Sequence, residues 1–75
     1  MPKLPLVSAT QVIKALLKVG YELDHQRGSH IVLRRKEPPH RRIAIPKYKE
    51  LPRGTLRAII SESGLTVEQF SALLD

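Results

Sequence analysis

The chain has no cysteine, which excludes both a disulfide scaffold and a thiolate metal site. It has no tryptophan, and only Tyr21, Tyr48 and Phe70 are aromatic. That is too few for the stacking platform on which single-strand binders lay successive bases. No apolar run approaches the length of a membrane span. The apolar part of Met1-Pro2-Lys3-Leu4-Pro5-Leu6-Val7 is too short for a secretory leader. We therefore expect a soluble, cytoplasmic protein. There is no repeat, no low-complexity segment and no internal linker, and 75 residues leave room for one core. The expectation is a single domain over residues 1–75, burying only about 60 % of its unfolded surface.

Acidic residues are also scarce, seven against thirteen Lys and Arg, for a net charge of +6. The imbalance is local. Ten basic residues and two acidic ones lie between Arg27 and Arg57, so that segment carries ten minus two, or +8, and the remainder is slightly acidic. A basic middle on a near-neutral chain points to a polyanionic partner, nucleic acid first. A solvated face that keeps a small protein in solution is the plainer alternative.

Ser8-Ala9-Thr10-Gln11 has the form of a capping box, with Val7 and Val12 placed as a hydrophobic staple. Val12, Ile13, Leu16, Leu17 and Val19 recur at helical spacing, and Gly20 is expected to end this first helix as its C′ residue. Two short runs rich in β-formers follow, Tyr21–His25 and Ile31–Leu33, with Arg27-Gly28-Ser29-His30 between them. Pro38 and Pro39 exclude a continuing ladder. Arg41–Pro46 reads as a third strand, with Ile43 and Ile45 inward and Arg42 and Ala44 outward. A second helix is expected after Pro52, capped by Gly54 or Thr55, with Leu56, Ile59 and Ile60 as its apolar side and Gly64 as its end. Its free N-terminal amides, near Arg53 and Arg57, would suit a phosphate, although most helix starts bind nothing. Thr66–Gln69 repeats the capping-box pattern and opens a short third helix.

The expected fold is therefore α+β: a three-stranded antiparallel sheet in the order α-β-β-β-α with a short C-terminal helix. The links are too short for parallel crossovers. Both long helices must cover the one apolar sheet face, which leaves the other open.

Hairpin register decides what His30 faces. A three-residue loop at residues 26–28, with Gly28 left-handed, pairs Asp24 with His30 and Leu23 with Ile31. His30, Asp24, Val32 and Arg34 then share the open face. A two-residue loop at Arg27-Gly28 instead opposes His25 to His30 and buries His30 beside the core, since a one-residue slip flips every side chain. We favour the first register, in which Asp24 would orient the imidazole of His30 and favour its protonated form.

Gly28-Ser29-His30 after a strand, then Lys49-Glu50-Leu51, Gly54-Thr55-Leu56-Arg57-Ala58-Ile59-Ile60 and Gly64-Leu65-Thr66, resemble the HicA (YcfA-like) mRNA interferase toxins from about Ser8 onward. The resemblance implies a double-stranded-RNA-binding-domain-like fold and a metal-independent endoribonuclease that acts on mRNA without a cofactor. It further implies a HicB-type antitoxin that covers the active site, and a catalytic histidine that here is His30. Many relatives carry a histidine after the proline that ends the third strand, where this chain has Lys47-Tyr48.

The chemistry fits a histidine. Cleavage of RNA by its own 2′-hydroxyl needs a base, a cation near the charged phosphorane and an acid for the leaving oxygen, and histidine suits either proton-transfer role. Arg34, Arg42 and Lys47 are the candidates for the cationic role. Arg27, Ser29, Lys49 and Arg57 join them as RNA-binding residues. His25 and His40 are weighed as second titrating groups and set aside as exposed bystanders. Ser29 reads as a turn hydrogen-bonder rather than a nucleophile. A non-catalytic double-stranded RNA-binding module is the runner-up. A DNA-binding protein is less favoured, because no helix presents base-reading residues.

Overall fold

Ser8 begins the first helix as the sequence indicates. Its hydroxyl accepts from the Gln11 amide at 3.2 Å, and the Gln11 side chain accepts from the Ser8 amide at 2.9 Å. The computed structural model describes residues 6–74; the opening stretch Met1–Pro5, on which part of the leader reading rests, lies outside them, as does Asp75. Six elements follow in the expected order: α1 (Ala9–Leu17), β1 (Tyr21–Arg27), β2 (His30–Arg35), β3 (Arg42–Pro46), α2 (Arg53–Ser63) and α3 (Val67–Leu73). The strands form one antiparallel sheet in the order β1-β2-β3.

Two helix ends differ from expectation. α1 closes at Leu17 with Lys18 as its C-cap, two residues before Gly20. The amides of Lys18 and Val19 reach back to Ala15 and Leu16 at 3.2 and 3.0 Å, a tightened last turn that satisfies carbonyls which Gly20 would otherwise serve. α2 starts at Arg53 rather than at a Gly54 or Thr55 cap. Pro52 takes the N-cap position with φ −56° and ψ 144° and no side-chain cap. Its ring already holds the φ needed there, and its carbonyl accepts from Leu56 at 2.9 Å. Gly64 (φ 81°) and the Thr66–Gln69 box end α2 and open α3 as expected.

The core lies between the helices and one sheet face. Leu16 of α1, Leu33 of β2, Ile43 and Ile45 of β3, Leu56 of α2 and Phe70 of α3 are all buried in one cluster. In β2 and β3 the alternation is regular: Ile31 pairs with Ile45 and Leu33 with Ile43 on the helix side. Val32 pairs with Ala44, and Arg34 with Arg42, on the other side.

The hairpin departs from both registers considered above. Arg27 pairs with His30, so the loop is Gly28-Ser29, with Gly28 at φ 58° and Ser29 at negative φ. A positive φ at only the first central residue is the signature of a type II′ turn, whose twist matches that of the strands it joins. Asp24 does not pair with His30. A β-bulge between Leu23 and His25 leaves Asp24 as the extra residue; Leu23 pairs with Leu33, His25 with Val32 and Gln26 with Ile31. Leu23 remains on the helix side, opposite Leu33, but is 64 % exposed. His30 nonetheless stays on the open face, because it alternates with Ile31 and Leu33, which point into the core.

Candidate active site

The helix-free face of the sheet carries the chemistry-bearing residues. Along β2 it presents His30, Val32 and Arg34; along β3, Arg42 and Ala44; along β1, Glu22, Asp24, His25 and Arg27. Asp24 and His25 are consecutive, and in a regular strand one of them would turn inward. The bulge lets both face the same side, because two residues there oppose one on the partner strand.

His30 is exposed at the first position of β2. Arg27 lies directly across from it on β1, and Pro46 directly across on β3. Lys47 follows Pro46, and its amide donates to the Ser29 carbonyl at 2.8 Å, tying the residue before His30 to the end of β3. Arg27, Ser29, His30 and Lys47 therefore converge at one end of the sheet. Arg27 and Lys47 are exposed and have no ion pair among the described residues.

Arg34 and Arg42 share the face with His30 but sit four residues further along the strands, about 13 Å away at 3.3–3.4 Å per residue. Two arginines directly opposite one another repel, and here each is matched with an acid from β1. Arg34 donates to Glu22 at 2.8 Å, and the Nε of Arg42 reaches over the middle strand to Asp24 at 3.0 Å. Lys49 lies in the loop between β3 and α2, and Arg57 on α2, in the layer behind the sheet. Arg57 therefore does not join the face that carries His30. His40 stands at the opposite end of β2, where its Nδ1 lies 3.1 Å from the Arg35 carbonyl oxygen.

Asp24 is the most engaged polar side chain on the face. One of its oxygens, Oδ2, accepts from Arg42 and lies 3.1 Å from Nδ1 of His25. The carboxyl is held below its usual value of 3.8, chiefly by the Arg42 hydrogen bond and secondarily by His25, with partial burial opposing both. The three side chains form a line from Arg42 across to His25. The sequence alone suggests an exposed bystander at His25, whereas the structure gives it a partner in Asp24. The signal that could have found it is the run Asp24-His25-Gln26-Arg27, four polar residues that break the apolar alternation of the strand.

Among the described residues, no group of three or more His, Cys, Asp or Glu side chains is gathered as a metal-holding set. No helix among them is long and apolar enough to cross a membrane. Chemically, an exposed imidazole beside two unpaired cations, on a flat face bordered by charge, can hold a phosphodiester and move a proton on it. A family model described as HicA toxin of bacterial toxin-antitoxin matches residues 9–65, which takes in the whole sheet and both long helices. No curated protein matches the chain.

Proposed function

We propose, since this chain belongs to the HicA family of toxins of bacterial toxin-antitoxin systems, that it is an endoribonuclease that cleaves mRNA with His30 as its general base. The observation that carries the reading is the exposure of His30 on the helix-free face, with Arg27 opposite and Lys47 beside it. In this reading His30 takes the 2′-hydroxyl proton, the 2′-oxygen attacks phosphorus, and the cations of Arg27 and Lys47 stabilise the phosphorane. Arg34 and Arg42 lie further along the same face, where they would meet flanking phosphates. Lys49 and Arg57 are left for RNA that wraps around the edge of the sheet. Ser29 holds the turn in place through its carbonyl. The reaction needs no cofactor.

Membership of a toxin-antitoxin family implies an antitoxin partner. We take it to be of HicB type, acidic where it covers the open face, so that it competes directly with RNA.

The test is cleavage of a labelled mRNA by purified protein, with and without chelator, alone and with the antitoxin. Wild type should cut in the presence of chelator, and the antitoxin should suppress cutting as it displaces RNA. His30→Ala should melt like wild type, because an exposed position away from special features costs within about 0.5 kcal/mol, yet cut at least about a hundredfold more slowly. A folded His30→Ala that cuts at the wild-type rate ends the catalytic reading. Tight RNA binding with no cutting by wild type would make the protein a binding module instead.

A further inference from the structure

The reaction above has a base but no assigned acid for the leaving 5′-oxygen. Without one, an alkoxide must depart unprotonated. Any acid has to lie on the same face as His30, carry a transferable proton, and be held in position while the phosphate sits between the two groups.

His25 meets each requirement. The bulge at Asp24 brings it to the open face, where its side chain is 52 % exposed. It pairs with Val32, two residues along β2 from His30, so the two histidines are diagonal neighbours on adjacent strands. Such neighbours stand about 7–8 Å apart. That is a backbone spacing, and from it two imidazoles on one face can reach the same phosphate from either side, each through a hydrogen bond of about 3 Å. The ring is also oriented. An ionised carboxylate can only accept, so Nδ1 of His25 carries the proton in its 3.1 Å contact with Asp24, and Nε2 lies at the free edge of the ring. Arg42 grips the same oxygen of Asp24 at 3.0 Å, which stops the carboxylate from swinging away.

We propose that His25 is the general acid of the proposed ribonuclease, with Asp24 and Arg42 as its positioning residues. This inference rests on the ribonuclease reading given above. As the 2′-oxygen bonds to phosphorus, its proton passes to His30. As the bond from phosphorus to the 5′-oxygen breaks, His25, entering the reaction as imidazolium with protons on both ring nitrogens, passes its Nε2 proton to that oxygen. The products are a 2′,3′-cyclic phosphate and a free 5′-hydroxyl, with His30 left protonated and His25 neutral. Proton exchange with water restores both.

A leaving-group substitution separates an acid from a residue that merely supports the fold. A thiolate departs readily without protonation, whereas an alkoxide departs far more slowly. The experiment uses an RNA oligonucleotide that wild type cuts, in two forms: the natural one, and one with sulfur in place of the bridging 5′-oxygen at the mapped cleavage site. His25→Ala should cut the oxygen substrate about a hundredfold more slowly and the sulfur substrate within a few-fold of wild type. Asp24→Asn should show the same pattern with a smaller defect, and His30→Ala should be slow on both substrates. A His25→Gln variant, with a melt alongside, guards against loss of fold. The proposal is overturned if His25→Ala cuts the oxygen substrate at the wild-type rate, or if it is equally impaired on both. A wild type that cuts neither RNA removes the ribonuclease reading itself, a result distinguishable from either of those.

Discussion

Asp24 gathers two charged or chargeable neighbours on one oxygen, and that has a consequence for the fold apart from any chemistry. Its carboxyl is easier to ionise in the folded protein than in the unfolded chain, first because Arg42 donates to it and then because of His25. A carboxyl lowered on folding adds stability above its unfolded value and loses it as pH falls through the folded one. Asp24→Asn should therefore melt below wild type at neutral pH, and the gap should close as the pH drops below 3.8, the usual value for the group. Paired melts across that range check it, and a gap constant down to strong acid would show that Asp24 contributes through shape rather than charge. At this scale the sequence was unevenly legible. His30 stood out because a glycine turn delivers it to the start of a strand. The Asp24–His25 contact did not, because it depends on an extra residue in β1. Residues 24–27 are all polar, so no apolar side chain there fixes which residue faces the core.

The elements themselves were read more easily than the turn between them. Capping boxes at Ser8–Gln11 and Thr66–Gln69 state where helices start in terms of backbone amides, and both are present. The open face of the sheet followed from the apolar alternation of β2 and β3. A loop at 26–28 fits the sequence as well as the observed 28–29, because Gly28 suits the last position of a three-residue loop as well as the first of a two-residue one; only pairing across the strands separates them. The observed turn makes its own prediction. Gly28 has φ 58°, and a Cβ added there would meet nothing within 4 Å, so an alanine would suffer from its backbone alone. A left-handed non-glycine residue costs roughly 1–2 kcal/mol, and each kcal/mol lowers the melting temperature by about 4–8 °C in a domain of this size. Gly28→Ala should therefore melt at least about 4 °C lower and cut RNA more slowly, because the same turn sets the position of His30. A calorimetric scan with a parallel cleavage assay checks both, and an unchanged melt would mean that the turn takes another form in solution.

For the molecule as a whole, the count of thirteen Lys and Arg overstates what is available to a polyanion at the site. Arg34 and Arg42 already face acids, whereas Arg27 and Lys47 do not. RNA affinity should fall linearly on a log–log plot against salt, as displaced counterions require, with a slope of about −0.7 per phosphate neutralised on a single strand. Removing Arg27 or Lys47 should flatten that slope by about 0.7 each, and removing Arg34 by less. Anisotropy titrations over a salt series measure it, and a flat line would take phosphate contact out of the picture.

Phe70 gives the molecule a timetable. It is fully buried, lies near the end of the chain, and closes the core beneath the sheet that carries His30. α1, the strands and α2 are all made before it, but the core they share stays open where its ring belongs. Forty residues separate His30 from Phe70. At a synthesis rate of roughly 5–20 residues per second, the ribosome takes about 2–8 s to cover that distance. Throughout that interval the strands of the face already exist as chain while its last core side chain has yet to be made. The packing of the sheet therefore waits on a side chain made after all three strands.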